Sequence, residues 1–307
     1  MDRRAFFKTG LGASVLAGTT LGAAGGRGLL AGVPAGGGGL PDLVAVRGGE
    51  PDVMFDRGIA ALGGIGAFVK KGQTVVVKPN IGWDVGPERA GNTHPKLVSR
   101  IVKACFEAGA KKVFVFDHTC DDWQRCYTNS GLERAAKDAG ATVVAGNSES
   151  YYQDVRIPGG TELKEAKEHE LILSSDVFIN VPVLKNHGGA RLTASMKNLM
   201  GIVWDRGFWH KTDLHQCIAD FAAYRKPTLN VVDAYNVMKR NGPRGVSVED
   251  VTMMKAQILT TDIVAADAAA AKLFGMEPDA VRHIALAADR KVGRKDLENL
   301  KIERISV

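Results

Sequence analysis

VFINVPVLKNH, residues 177–187, is the stretch whose reading decides the fold. Val177 to Val183 is short and almost wholly apolar, which marks a strand covered on both faces rather than one with a wet side. Leu184-Lys185-Asn186-His187 follows at once, so polar groups crowd the end of that strand.

Working outward, the same alternation recurs along the chain. LVAVRG from Leu43, TVVVKPNI (74–81), KKVFVFDHT (111–119), ATVVAG (141–146) and TLNVV (228–232) read as strands. Helical periodicity falls at Asp52–Val69, His94–Gly109, 129–140 with Asn129 or Ser130 as cap, Thr193–Val203, Leu214–Tyr224, Thr261–Phe274 and Ala280–Asp289. Strands alternating with helices predict an α/β fold, a mostly parallel sheet with helices on both faces. Ser148 to Glu170 reads as an inserted flap, and residues 36–307 as a single α/β domain.

The first 35 residues read differently. MDRRAFFKTG sets Arg3 and Arg4 before Phe6, Phe7 and Lys8, and a weakly apolar Gly/Ala/Leu stretch follows. This resembles a twin-arginine export signal and linker, with removal near Val33–Ala35; the implied partner is the twin-arginine export machinery, and the implied location the periplasm or cell exterior. Residues 1–35 carry a net +3 of the formal +6, so the remainder keeps only +3, which is no nucleic-acid footprint. After residue 36 no apolar run is long enough for a transmembrane segment.

Cys105 and Cys217 share helical spacing with apolar neighbours and read as core. Cys120 and Cys126 lie in a polar loop, where they could pair, bind a soft metal or stay free; a disulfide is the favoured reading. No cysteine-ligated iron–sulfur motif is present in the sequence.

In open α/β sheets, ligands collect at the carboxyl ends of the strands, where loops converge. Lys78-Pro79-Asn80, Asp117-His118-Thr119, Lys185-Asn186-His187 and Asp233-Ala234-Tyr235-Asn236 each follow a strand, so one rim would hold them. His187-Gly188-Gly189 offers backbone N–H groups as an anion cradle before a helix that Thr193 could cap, and Lys197 and Asn198 lie on that helix. Taken singly, each residue also has an ordinary structural role: surface lysine, cap or turn former. The sequence holds no Walker loop, dinucleotide fingerprint or nucleophile elbow. A divalent metal is a candidate cofactor, with His118 and His187 as ligands beside Asp117. His210 and His215, five residues apart, would fall on different faces of one helix.

The ordered set VVVKPNI (75–81), THP (93–95), EAGAKKVFVFD (107–117), SGL (130–132), VPVLKNH (181–187), SMKNLMG (195–201), LNVVDA (229–234) and TDIVAAD (261–267) resembles the domain-of-unknown-function 362 family. The resemblance implies no settled activity. Many members of that family carry a fused ferredoxin-type module, whose cysteines this sequence lacks. A fainter similarity, to the nickel-pincer lactate racemases, rests on Thr93-His94-Pro95 ahead of a helix; those enzymes place arginine where His94 stands.

Together these readings give an exported α/β protein, an enzyme or binder for a small anionic molecule. Lys185, Lys197, Asp117 and Asp233 are the candidate catalytic groups, and Lys78, Asn80, Thr93, His94, Asn186 and Asn198 the candidate ligand-binding groups. A non-catalytic cofactor carrier and a redox partner using Cys120 and Cys126 are the alternatives. Replacing Arg3 and Arg4 together by lysine is expected to leave the protein inside the producing cell, as cell fractionation would report; unchanged export would remove the twin-arginine reading.

Overall fold

The computed structural model describes residues 39–307, so the export signal expected at 1–35 lies outside the described residues. In chain order the strands are β1 (Leu43–Arg47), β2 (Thr74–Pro79), β3 (Lys112–Val115), β4 (Thr142–Val143), β5 (Tyr152–Arg156), β6 (Glu165–His169), β7 (Val177–Val181), β8 (Val183–His187), β9 (Arg191–Thr193), β10 (Leu229–Met238), β11 (Val251–Thr260) and β12 (Ile302–Ser306). The helices are α1 (Pro51–Ala61), α2 (Pro95–Glu107), α3 (Trp123–Asn129), α4 (Leu132–Asp138), α5 (Glu170–Ser174), α6 (Ser195–Asn198), α7 (Gly207–Lys211), α8 (Leu214–Tyr224), α9 (Ile263–Phe274) and α10 (Arg282–Asp289). None of the described helices is long and apolar enough to cross a membrane.

Ten strands form one sheet in the order β12-β1-β11-β10-β7-β2-β3-β4, with β8 joined to β10 and β9. Most pairings are parallel; β11 is antiparallel to both β1 and β10, and β9 to β8. Strand alternation then divides the core. Leu43, Ala45 and Val76 face one layer with Ile218, Phe221, Val264 and Ile284, while Val44, Val46, Val75 and Val77 face the other with Phe55, Leu97, Ile101 and Leu132. Successive side chains of a strand point to opposite faces, so a sheet with both sets buried carries helices on both sides.

Local chemistry sets the ends of these elements. Pro51 and Pro95 open α1 and α2, where a missing N–H costs nothing. The helix expected over Asp52–Val69 stops at Ala61, because Gly63 and Gly64 turn the chain through positive φ. The helix expected at 129–140 is α4, Leu132–Asp138, and its N-cap is Gly131 rather than Asn129 or Ser130, because a separate helix, α3, occupies the chain up to Asn129. Pro182 splits the strand expected over Val177–Val183. It has no N–H to give, so β7 pairs with β2 up to Val181 and the chain then follows β10 as β8.

Among the strands that were not legible as such are β11 and β12. β11 has a half-exposed first part and a wholly buried second part, Ala256–Thr260, so neither period dominates. β12, IERIS, is a charged edge strand that lies parallel to β1. The flap expected from 148 to 170 is largely the β5–β6 hairpin. It is tied down: Glu168 accepts from Arg225 Nε and Nη2 at 2.7 and 2.6 Å, and Trp204 N donates to Lys167 O at 3.0 Å.

Candidate functional site

Lys78 sits on β2 with no exposed surface, a position where an ammonium survives only if every proton has a partner. It has three. Nζ donates to Asn198 O at 2.7 Å and Asn198 Oδ1 at 2.8 Å, and pairs with Asp117 Oδ1 at 2.8 Å. The other Asp117 oxygen accepts from Ile81 N at 2.7 Å, which fixes the carboxylate between the ends of β2 and β3. Burial pulls the Lys78 pKa down and the Asp117 carboxylate opposes that pull. Gly201 covers the pair so closely that a Cβ there would collide with Asp117 Oδ1 and Lys78 Nζ.

From this pair a chain of amides runs outward. Asn198 Oδ1 accepts from Asn80 Nδ2 at 3.2 Å, its Nδ2 donates to Asn180 Oδ1 at 2.8 Å, and Asn80 Oδ1 accepts from Lys185 Nζ at 2.8 Å. Lys185 Nζ has one more acceptor, Gly91 O at 2.5 Å. Lys197 has no hydrogen-bond or ion-pair partner among the described residues.

Asn80, Asp117, His118, Lys185, Lys197 and Asn198 line a common cleft of about 580 Å³, within the range of small-molecule sites. Burial first, then the neighbouring lysines, lowers Lys185 to about 7; burial likewise lowers Lys197 to about 8, both from 10.5. Residues that carried no site role in the sequence complete the walls, among them Trp83, Trp204, Arg206 and Pro243, together with Met200 and His210. Arg206 is fixed by donating to His118 O at 2.9 Å and Thr119 O at 2.7 Å.

Four expected site residues lie elsewhere. Asp233 is inside β10 rather than beyond it, because that strand runs on to Met238; its carboxylate accepts from His94 N at 2.7 Å and Tyr235 N at 3.0 Å. Thr93 staples two strand ends: Oγ1 accepts from Asn80 N at 2.8 Å and donates to Val181 O at 2.7 Å. His94 caps α2 through Nδ1, and Asn186 Oδ1 accepts from Gly242 N at 3.0 Å. None of the four lines the cleft. Lys78 lies under its floor, so its contribution to a ligand would be indirect.

The anion cradle expected at His187-Gly188-Gly189 is instead the turn between β8 and β9. Thr193 does not cap the next helix, for it belongs to β9. Asp267, far along the chain on α9, supplies the cap: its carboxylate accepts from Ser195 N at 2.5 Å and Met196 N at 3.1 Å, which places Lys197 and Asn198.

The two candidate metal ligands differ in tautomer. His118 stacks on Trp204 at 4.9 Å, and its Nδ1 bonds Val203 O at 3.0 Å, so it carries a proton there and keeps the Nε2 lone pair. His187 Nδ1 accepts from Ala190 N at 3.0 Å, which puts its proton on Nε2 and occupies its lone pair. Burial lowers the His187 pKa to about 3. The described residues contain no group of three or more His, Cys, Asp or Glu side chains able to hold a metal ion, and the His187 arrangement does not fit one. His210 and His215 lie on separate helices, α7 and α8, not on one. All four cysteines are free thiols, so the expected Cys120–Cys126 disulfide is not formed: Cys126 is buried against Gly82 O and Cys120 faces Arg206. Burial pushes the Cys126 thiol up to about 12.

These features define an α/β protein with a lysine-lined cleft where parallel strands end. The chain belongs to the family described as Domain of unknown function (DUF362), whose model matches residues 75–272. It is 25% identical over 240 residues to a thylakoid-associated protein of Synechocystis, covering 76% of this chain and 72% of that one. Two solved structures are similar to it at 12% identity: the lactate racemase apoprotein of Thermoanaerobacterium thermosaccharolyticum, with TM-score 0.42 over 69% of this chain, and a Thermotoga maritima protein, with TM-score 0.46 over 78%. The chain spans 53% and 60% of their respective lengths.

Replacing Asp117 by asparagine strands a buried ammonium and is expected to cost about 3–5 kcal/mol of unfolding free energy in urea titrations. The double variant Lys78→Met, Asp117→Leu should recover most of that loss. A single variant as stable as the parent would show that the pair is not what holds the floor.

Proposed function

We propose that the protein binds a small anionic ligand in this cleft, with Lys197 and Arg206 as its counter-charge and Lys185 as the group that exchanges a proton with it. The observation that carries this reading is that Lys185 and Lys197 share one cleft, yet neither has a carboxylate partner among the described residues. Ammonium groups taken from water are stabilised by an opposite charge, and a bound carboxylate or phosphate would supply it. Of the two acidic side chains that line the cleft, Asp117 is already committed to Lys78 and Ile81 N, and Asp205 accepts from Phe208 N at 3.2 Å.

Lys185 suits acid–base work because its value of about 7 leaves both protonation states populated near neutrality. His118, with burial lowering its pKa and its Nε2 lone pair unspent, is a second proton acceptor on the same wall. Asn80 and Asn198 would orient the ligand while remaining fixed by their own network. The twin-arginine pattern at Arg3 and Arg4 supports placing this activity outside the cytoplasmic membrane. Turnover separates an enzyme from a carrier using the same cleft.

Native mass spectrometry on the purified protein, followed by calorimetric titration with inorganic phosphate and with pyruvate, tests the reading. Lys197→Ala is expected to weaken anion binding about tenfold to a hundredfold, the loss of one charge-assisted contact. Affinity should also fall between about pH 7 and pH 9. An anion prefers the charged lysines, and Lys185 and Lys197 lose their protons at about 7 and about 8. Equal affinity in parent and variant, flat across that range, would put the ligand site elsewhere.

A further inference from the structure

We propose that Lys185 forms a Schiff base with a 2-oxo carboxylate held in the cleft, an activity that rests on the anion-binding reading and goes beyond it.

Counting acceptors around the three lysines supports this. A charged lysine has three N–H bonds and a neutral one has two plus a lone pair. Lys78 faces three acceptors, one of them a carboxylate, and so holds the ammonium form. Lys185 faces two, Asn80 Oδ1 and Gly91 O, which a neutral amine satisfies completely. Its lone pair then takes the remaining tetrahedral position, and the side chain is part of the cleft wall. An oriented, unprotonated amine in a water-poor site is a nucleophile. Burial and the Lys197 charge lower the proton affinity of Lys185 in the same direction.

The ligand class follows from what surrounds that amine. Lys197 and Arg206 give a carboxylate its counter-charge, and a 2-oxo acid carries its electrophilic carbon one bond from that carboxylate. Trp83, Met200 and Trp204 provide apolar wall for the rest of the molecule. In the reaction the Lys185 lone pair attacks C2, the carbonyl π pair moves to oxygen, and proton transfer from nitrogen gives a carbinolamine. The Lys197 ammonium protonates the hydroxyl, which leaves as water while the nitrogen pair forms the C=N bond. The proton on the resulting iminium nitrogen returns to Lys197. The net change is amine plus carbonyl to imine plus one water, with no oxidant or reductant.

Reductive trapping tests it. The protein is incubated with pyruvate at about pH 8, above the Lys185 value of about 7, then treated with sodium borohydride and analysed by peptide mass mapping. One carboxyethyl group on Lys185 is expected, lost in Lys185→Met, reduced in Lys197→Ala and suppressed in the parent by excess inorganic phosphate. Parallel calorimetry separates the two ideas. Pyruvate binding without an adduct, or labelling spread over surface lysines and insensitive to phosphate, overturns the imine and leaves the anion site standing. Failure of both pyruvate and phosphate to bind overturns both.

Discussion

The buried ion pair between Lys78 and Asp117 is the constraint on which the rest of this site depends. An ammonium and a carboxylate with essentially no exposure must satisfy each other and every remaining hydrogen-bonding position. That demand fixes the carbonyl and amide of Asn198, hence the turn of helix that carries Lys197, and leaves room only for glycine at 201. It also joins segments more than a hundred residues apart in the chain, since Asn80 and Lys185 attach to the same network. A buried pair of this kind adds little net stability compared with a hydrophobic replacement, so its value lies in geometry.

The three lysines of the site form a graded series set by their partners. Lys78 is saturated and structural, Lys185 is held by two neutral acceptors, and Lys197 is unpartnered among the described residues. The same burial therefore has different chemical consequences at each. Where a carboxylate is at hand the charge is retained; where only carbonyl oxygens are, the proton is held weakly. The differences among the three lysines thus follow from the accounting of donors and acceptors, not from residue type.

Much of this was legible from the chain. The strand ends at Lys78 and Asp117 and the helix bearing Lys197 and Asn198 could be placed on one rim because apolar runs of strand length stop just before or beside them, whereas Lys185 reaches the same cleft from inside β8. Asp233 was misplaced for the same reason in reverse. TLNVV ends its apolar run there, but pairing with β11 carries β10 on to Met238, and the carboxylate serves His94 N instead. Arg206, Trp204 and Trp83 carried no signal, since a tryptophan or arginine in a loop looks alike whether it faces a ligand or solvent. Asp267 was invisible as a cap because its helix lies about seventy residues from the one it closes.

By itself the sequence determined the alternation of strands and helices, and with it a sheet buried on both faces. Periodicity and chain-breaking residues are local properties that need no knowledge of the rest of the molecule. Only the tertiary structure decided which polar groups meet. Pro182 ends the pairing with β2 while the chain stays beside β10, first as β7 and then as β8, and antiparallel β11 enters the sheet between β1 and β10. Hydrogen bonds such as those of Asn80 to Lys185 and of Asp267 to Ser195 span 105 and 72 positions of the chain. Such contacts are fixed by the packing of distant elements, and no window of sequence contains both partners.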